Sequence, residues 1–236
     1  MNAIQQRIEA VEYTKKEVKL KKPYSYGPYN KSKDTEQWIR ISEGCPNNCA
    51  PCAEPTELKW FGIPEIVRND VKLLDMNLLC HAEALEAIRE LGKKRVNGKV
   101  VYYELTCGID YRIFTPEMAK ALKEARFQNI RLAWDWAFSE QKRIKDTIEI
   151  LTRAGYPRNQ IMVFMICNYR IPYVMNLRKL DLLKVWNVKA GDCYYDCQTA
   201  PNIVPIHWTD IQIKKFRKKV RKHNQLVRFG IDPEVD

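Results

Sequence analysis

The sequence predicts an α/β fold in which six units of strand followed by helix run in tandem, with their strands parallel. Three observations lead there. Short apolar runs alternate with segments of helical period along the chain. Each run is followed by a helix long enough to return the chain to the same edge, as parallel pairing requires. No internal repeat, low-complexity tract or Gly/Ser-rich linker divides the 236 residues, which at 45% hydrophobic and 29% charged have ordinary globular composition. The expected organisation is a basic N-terminal extension over 1–35, one α/β domain over 36–230 and a short tail over 231–236. A doubly wound sheet and a partly closed barrel both satisfy this order, and both place their chemistry at the carboxyl ends of the strands.

The units read as follows. QWIRISEG (37–44) is the first strand and runs into a cysteine cluster. VKLLDMN (71–77) is the second, followed by a helix in HAEALEAIREL. KVVYYELTC (99–107) is the third, and its helix opens at Thr115 as N-cap with Pro116 at the first helical position. NIRLAWDW (129–136) is the fourth. Ser139 is the expected cap of the helix after it, and Gly155 the residue that ends that helix. QIMVFMICN (160–168) is the fifth, with a helix in PYVMNLRKLDLL. KVWNVKAG (184–191) is the sixth, and a long basic helix starting near Trp208 closes the chain.

Composition narrows the function classes. The longest apolar run, Ile161 to Cys167, is far short of a membrane span. The N-terminus lacks the apolar core of a signal peptide, so the expected location is cytoplasmic. Eight cysteines in a reducing compartment point to ligands, reagents or core residues rather than disulfides. The formal net charge of +11 suggests an anionic partner. Its densest stretch, Lys214 to Arg228, holds eight Lys/Arg and no acid. That stretch reads either as a solvated helix face or as a phosphate-binding surface.

The strand ends gather the reactive side chains. Cys45, Cys49 and Cys52 follow the first strand; Asp75, Asn77 and Cys80 the second; Cys107, Asp110 and Arg112 the third; Asp135 and Trp136 the fourth. Cys167 and Asn168 follow the fifth, and Asp192, Cys193, Tyr194, Tyr195 and Cys197 the sixth. All eight cysteines thus fall at or near one rim. GCPNNCAPC (44–52) cannot form a regular helix and reads as a loop wrapping something. Thiolates suit zinc or iron–sulfur centres. The three histidines show no zinc-finger spacing. Three ligands on a four-iron cubane leave one iron open, and an open position is how a metal site holds a reactant.

Cys-x3-Cys-x2-Cys directly after the first of six βα units resembles the radical S-adenosyl-L-methionine (AdoMet) enzymes. The resemblance covers roughly residues 37–227. It implies a partial (β/α)6 barrel with a 4Fe-4S cluster ligated by Cys45, Cys49 and Cys52. It further implies that the open iron chelates the amine and carboxylate of AdoMet. Reductive cleavage would then yield methionine and a 5′-deoxyadenosyl radical that abstracts a substrate hydrogen. An electron donor such as flavodoxin or ferredoxin is the implied partner. Pro51 stands where the family commonly has an aromatic residue, keeping a carbonyl to meet adenine. Asp75–Met76–Asn77 replaces the usual Gly-Gly-Glu segment. That stretch and Gly108–Arg112 are similar to branches that include cobalamin-dependent and methylthiolating members.

Within that reading Arg112 is the candidate for the AdoMet carboxylate, by bidentate match, with a rim salt bridge as its alternative. Asp135 would accept a ribose hydroxyl, or instead hold its loop through an Asx-turn; Trp134 and Trp136 flank it and would enclose a stacked ring. Glu104 alternates with apolar residues and is expected to be paired or ligand-facing. Asn168 is a further cofactor-binding candidate at the fifth strand end. Cys193 and Cys197 read as a hydrogen-atom donor or reactive thiol, as ligands of a second cluster with Cys107 and Cys167, or as plain buried cysteines. Tyr194 is a candidate radical relay or a packing residue. The charge favours a nucleoside or nucleic acid substrate, with a peptide second. The rival class is a non-catalytic iron–sulfur or zinc protein that binds nucleic acid through its basic helices.

Overall fold

In the computed structural model the described residues are 27–49, 52, 54–135, 137–168, 171–194 and 208–230. The first strand, β1 (Tyr29–Ser32), pairs antiparallel with β2 (Gln37–Arg40), Tyr29 opposite Arg40. All four β1 side chains are exposed. The sheet therefore begins ahead of residue 36, inside the stretch expected to be a basic extension. β1 is an edge strand, and its Lys31 is the kind of residue that keeps an open edge soluble.

A short antiparallel pair, β3 (Ser42–Glu43) and β4 (Lys59–Trp60), brackets the cysteine loop. β5 (Asp70–Leu73) follows, then helix α1 (Ala84–Lys93). A small hairpin, β6 (Arg95–Val96) and β7 (Lys99–Val100), turns at Asn97–Gly98 with φ of 51° and 73°. Two positive φ values in an Asn-Gly pair are what a tight hairpin turn requires. The hairpin takes the first two residues of the expected third strand, which is confined to β8 (Tyr102–Leu105).

Helix α2 (Pro116–Glu124) begins as the sequence predicts: the Thr115 side chain accepts from the Met118 amide at 3.2 Å, with Pro116 next. β9 (Arg131–Ala133) leads to α3 (Gln141–Arg153). Ser139 does not cap that helix; it lies in a 3₁₀ turn over Phe138–Glu140. Gly155, at φ 93°, does end it. β10 (Met162–Cys167), α4 (Tyr173–Val185), β11 (Lys189–Tyr194) and α5 (Asp210–Phe229) complete the described chain. The sixth strand begins five residues later than expected. Lys184 and Val185 finish α4, and Asn187 at φ 54° makes the left-handed turn before the strand starts. Cys193 and Tyr194 consequently lie on that strand rather than past its end.

β2, β5 and β8 pair in parallel, as do β9, β10 and β11. Single parallel bridges, Tyr103 to Phe127 and Ile109 to Leu132, join β8 and its extension to the chain around β9. The parallel strands thus follow one another in chain order. The order shows no reversal among the described residues, whereas a doubly wound sheet turns on one.

Burial alternates along β10: Val163, Met165 and Cys167 are buried, while Met162, Phe164 and Ile166 are only partly so. The buried set belongs to the core with Ile148 and Leu151 of α3 and Leu180 and Leu183 of α4. Ile166 faces the other way, into the cavity described below. Among the described residues no helix is long and apolar enough to cross a membrane.

Candidate functional site

A cavity of about 490 Å³ opens at the carboxyl ends of the parallel strands. Cys45, Cys49 and Cys52 line one side, with Cys107, Asp110 and Arg112; Asp135, Ile166 and Cys193 face them. The cysteine loop is shaped by Gly44, whose φ is 99° and whose notional Cβ would lie 2.0 Å from the Glu57 carbonyl oxygen. No residue with a side chain fits there. The Gly44 amide donates to Glu54 Oε1 at 2.7 Å, and the same carboxylate pairs with Arg40. The Cys45 amide donates to Pro55 O at 2.8 Å and the Cys52 amide to Cys49 O at 2.9 Å, which folds the loop back on itself.

Asp110 is the hub of this side. Its Oδ1 accepts from the Arg112 amide at 3.1 Å and from Arg112 Nε at 2.7 Å. Its Oδ2 accepts from Arg112 Nη2 at 3.0 Å, Asn47 Nδ2 at 2.7 Å and Asn77 Nδ2 at 3.1 Å. Burial pushes the carboxyl up, but the hydrogen bonds from Arg112 and Asn47 outweigh it and hold it below the usual range. Asn77 Nδ2 also donates to Cys45 Sγ at 3.3 Å. One carboxylate therefore ties the cysteine loop, the β5 loop and the β8 loop together.

On the opposite side, Asp135 Oδ1 accepts from the Ile166 amide at 3.0 Å. This link to the neighbouring strand replaces the expected Asx-turn. Burial raises the Asp135 carboxyl, and Lys179 opposes that shift. Lys179, from α4, is fully buried and donates to Trp134 O at 2.7 Å. Burial lowers its ammonium to about 8, against the pull of Asp135. Cys193 faces the same space. Desolvation, with Asp135 and Asp192 nearby, pushes its thiol up to about 11.

The structure sorts the expected site residues into three groups. Cys45, Cys49, Cys52, Asn77, Arg112, Asp135, Cys193 and Tyr194 share the cavity. Arg112 makes the rim ion pair with Asp110 while its partly exposed side chain still lines the cavity. Tyr194 turns its hydroxyl outward to Ile213 O at 3.3 Å on α5, so it packs rather than aims at the cavity centre.

A second group is corrected. Asp75 is buried, with Oδ1 accepting from Ser42 N at 2.6 Å, Ser42 Oγ at 2.7 Å and Ile41 N at 3.1 Å; it fastens β5 to the chain after β2. Glu104 lies away from this cavity, bound by Lys72 at 2.9 Å, Asn129 at 2.9 Å and Arg131. The Asn168 side chain accepts from the Trp208 amide at 3.3 Å. Trp134 is fully buried and stacked on Trp186, so it cannot sandwich a ligand. Cys167 points into the helix layer toward Asn176. Among the described residues of the second-cluster set, Cys167 is therefore turned away from Cys107 and Cys193, which line the cavity. Pro51, Trp136, Tyr195 and Cys197 lie outside the described residues.

The third group was missed. Asp110 was read as one of several rim residues, though an acid two positions before an arginine in Cys-Gly-Ile-Asp-Tyr-Arg signals a local ion pair. Asn47, inside the cysteine loop, carried no signal beyond its polarity. Lys179 breaks the apolar face of its helix, which was the available clue.

Among the described residues no three Cys, His, Asp or Glu side chains converge closely enough to hold a single metal ion. The thiols of Cys45, Cys49 and Cys52 instead share the wall of one cavity. Three thiols on one wall, with no fourth ligand among the described residues, are a donor set that leaves room for a reactant at the centre they would hold.

No family model and no curated protein matches the sequence. Two solved structures of the radical S-adenosylmethionine methyltransferase TsrM from Kitasatospora setae are similar in fold. One, with cobalamin and a 4Fe-4S cluster bound, superposes at a TM-score of 0.53 with 14% identity over 66% of this chain. The other, with tryptophan substrate and an aza-SAM analogue, gives 0.53 and 14% over 67%. The matched region spans 36% and 35% of those chains, about a third of their length.

Proposed function

We propose that this chain is a radical AdoMet enzyme on a partial (β/α)6 barrel, holding a 4Fe-4S cluster through Cys45, Cys49 and Cys52. The observation that carries the reading is the placement of those three thiols. A strained glycine and a two-strand clamp hold them after the first parallel strand, and they open into the same cavity as Arg112, Asp135 and Cys193. The chain-order strands and the fold likeness to TsrM support the barrel.

A bound cluster would supply an electron to the AdoMet sulfonium and an iron for its amine and carboxylate. The chain's own residues set the surroundings. Asn77 fixes the orientation of Cys45 through its hydrogen bond to sulfur. Arg112, held by Asp110 with its side chain 36% exposed, presents positive charge to the anionic end of the ligand. Asp135, with Oδ1 engaged by Ile166, is placed to accept ribose hydroxyls. Cys193 stays protonated at neutral pH, so it has a hydrogen atom to donate; a thiolate would not. The reductant is a low-potential donor of the flavodoxin or ferredoxin kind.

The test is anaerobic purification, iron analysis and incubation with dithionite and AdoMet. About four irons per chain and release of 5′-deoxyadenosine are expected. S-adenosylhomocysteine without 5′-deoxyadenosine would indicate methyl transfer, the activity named for the similar structures. A colourless, zinc-loaded protein that leaves AdoMet intact would overturn the proposal in favour of a non-catalytic metal protein.

A further inference from the structure

The outer face of α5 carries Lys214, Lys215, Arg217, Lys218, Lys219, Arg221, Lys222 and Arg228, all exposed. No ion pair among the described residues involves any of them, and the one acid on the helix, Asp210, stands at its N-terminal end. At 100° per residue, Phe216, Val220, His223 and Val227 form the buried stripe, and the cations fill the arc opposite. From Lys214 to Arg228 the charged face runs about 21 Å along the helix axis.

This face is fixed relative to the cavity. Asn224 clamps Ala190 of β11 from both sides, its Oδ1 accepting from the amide and its Nδ2 donating to the carbonyl, each at 2.8 Å. His223 Nε2 meets Val188 O at 2.8 Å. Further along, the Arg217 guanidinium sits 4.3 Å from the centroid of the Tyr194 ring. Tyr194 and Cys193 end β11 and line the cavity. The basic surface is thus one side chain away from the mouth of the site.

We infer that the α5 face binds the phosphate backbone of a single-stranded nucleic acid and leads one of its bases to the cavity, making that strand the substrate. This rests on the proposed function above. Uncompensated lysines and arginines along a helix are a phosphate footprint. Tyr194, packed beneath Arg217 and lining the cavity, joins this cationic surface to the site. A membrane surface fits less well. An interfacial helix needs a continuous free apolar face; the apolar stripe of α5 is buried against the rest of the protein, and its two exposed hydrophobics, Ile211 and Phe229, stand at opposite ends of the helix.

The experiment measures anisotropy of a fluorescein-labelled 20-nucleotide single strand, as RNA and as DNA, against the full-length, cluster-reconstituted protein across a salt series. Two variants with equal charge loss are compared: Lys214→Gln, Lys218→Gln, Lys222→Gln on α5, and Lys120→Gln, Lys142→Gln, Lys145→Gln on α2 and α3. The α5 triple should weaken single-strand binding on the order of 10–50-fold near 0.15 M salt and flatten the log–log salt slope by about 2. The control triple should change binding by less than about twofold. Equal losses in both triples, tighter binding to a duplex, or tighter binding to phosphatidylserine vesicles would overturn the inference. The α5 triple should still release 5′-deoxyadenosine at the wild-type basal rate. A wild-type protein that binds the strand yet never cleaves AdoMet would leave the surface standing and remove the enzymatic reading alone.

Discussion

Two polar cavities open at the two ends of the parallel strands. At the carboxyl ends, about 490 Å³ are lined by five cysteines, Asp110, Arg112 and Asp135. At the amino ends, about 400 Å³ are lined by Asp70, Lys72, Glu104, Asn129 and their neighbours. Both contain charge out of bulk water, yet the charge is used differently. Glu104 is met by Lys72, Arg131 and Asn129, and Lys72 also reaches Asp70 at 3.0 Å. Cations and acids close on each other there. At the carboxyl end only Asp110 and Arg112 neutralise each other. The thiols and the Asp135 carboxylate line the cavity, with Asp135 Oδ1 held by the Ile166 amide and the Asn77 amide held by Asp110 and Cys45. The two cavities differ in how their charges are spent, on one another at the amino ends and around the cysteines at the carboxyl ends.

Removing one group from each end should therefore produce opposite signatures. Cys49→Ala is expected to reduce bound iron from about four per chain to background and AdoMet cleavage by more than about 100-fold. The melting temperature of the metal-free protein should move little, because Cys49 belongs to a surface loop and not to the core. Glu104→Ala should do the reverse. It leaves Lys72 and Arg131 without their shared partner, costing about 2–3 kcal/mol after allowance for their partial exposure. Iron stoichiometry should be unchanged. If Glu104→Ala lowered iron binding while leaving stability intact, the assignment of the two ends would be wrong.

Asp110→Ala sharpens the comparison from within the carboxyl end. It releases Asn47, Asn77 and Arg112 together, so AdoMet affinity measured by equilibrium dialysis should fall about 10–100-fold. Asp110→Asn, which keeps the shape but not the charge, should fall by less. An Asp110→Ala protein with wild-type affinity would mean that the hub positions nothing the ligand touches.

How much of this could be read from the residues depends on the range of the interaction involved. The alternation of apolar runs and helical periods located all six parallel strands. The local signals at Thr115 and Gly155 placed a helix start and a helix end, because a cap is decided within four residues. Cys45, Cys49 and Cys52 could be grouped for the same reason, and the structure brings them to one cavity wall. The errors lie where a partner is far away in sequence. Asp75 reads as a ligand group although Ser42 is its partner across strands, and of the two readings of Glu104 the structure takes the paired one, through Lys72 and Arg131. Whether Cys167 or Ile166 faced the cavity depended on the pleat of β10, which one residue of register reverses. Lys179 was hidden because its partner Trp134 O lies 45 residues away.

The smallest expected effect separates two carboxylates of this same rim by the sign of their pH response. Asp110 has its folded pKa lowered, so its stabilising contribution is present above the unfolded value near 3.9 and is lost as pH falls through the folded value. Asp75 has its folded pKa raised, with burial the largest cause, and Oδ2 has no hydrogen-bond partner. Its ionised form costs stability at neutral pH, and the cost is relieved as pH falls through the raised value toward 3.9. Relative to Asp75→Asn, the wild type should gain stability as pH falls from 7 toward 4, read as a rise in urea midpoint. Relative to Asp110→Asn, it should hold constant over that interval and lose stability only below it. Parallel responses in the two pairs would show that the orphaned oxygen of Asp75 is satisfied in solution. The residue would then be an ordinary strand fastener and not a buried acid under desolvation.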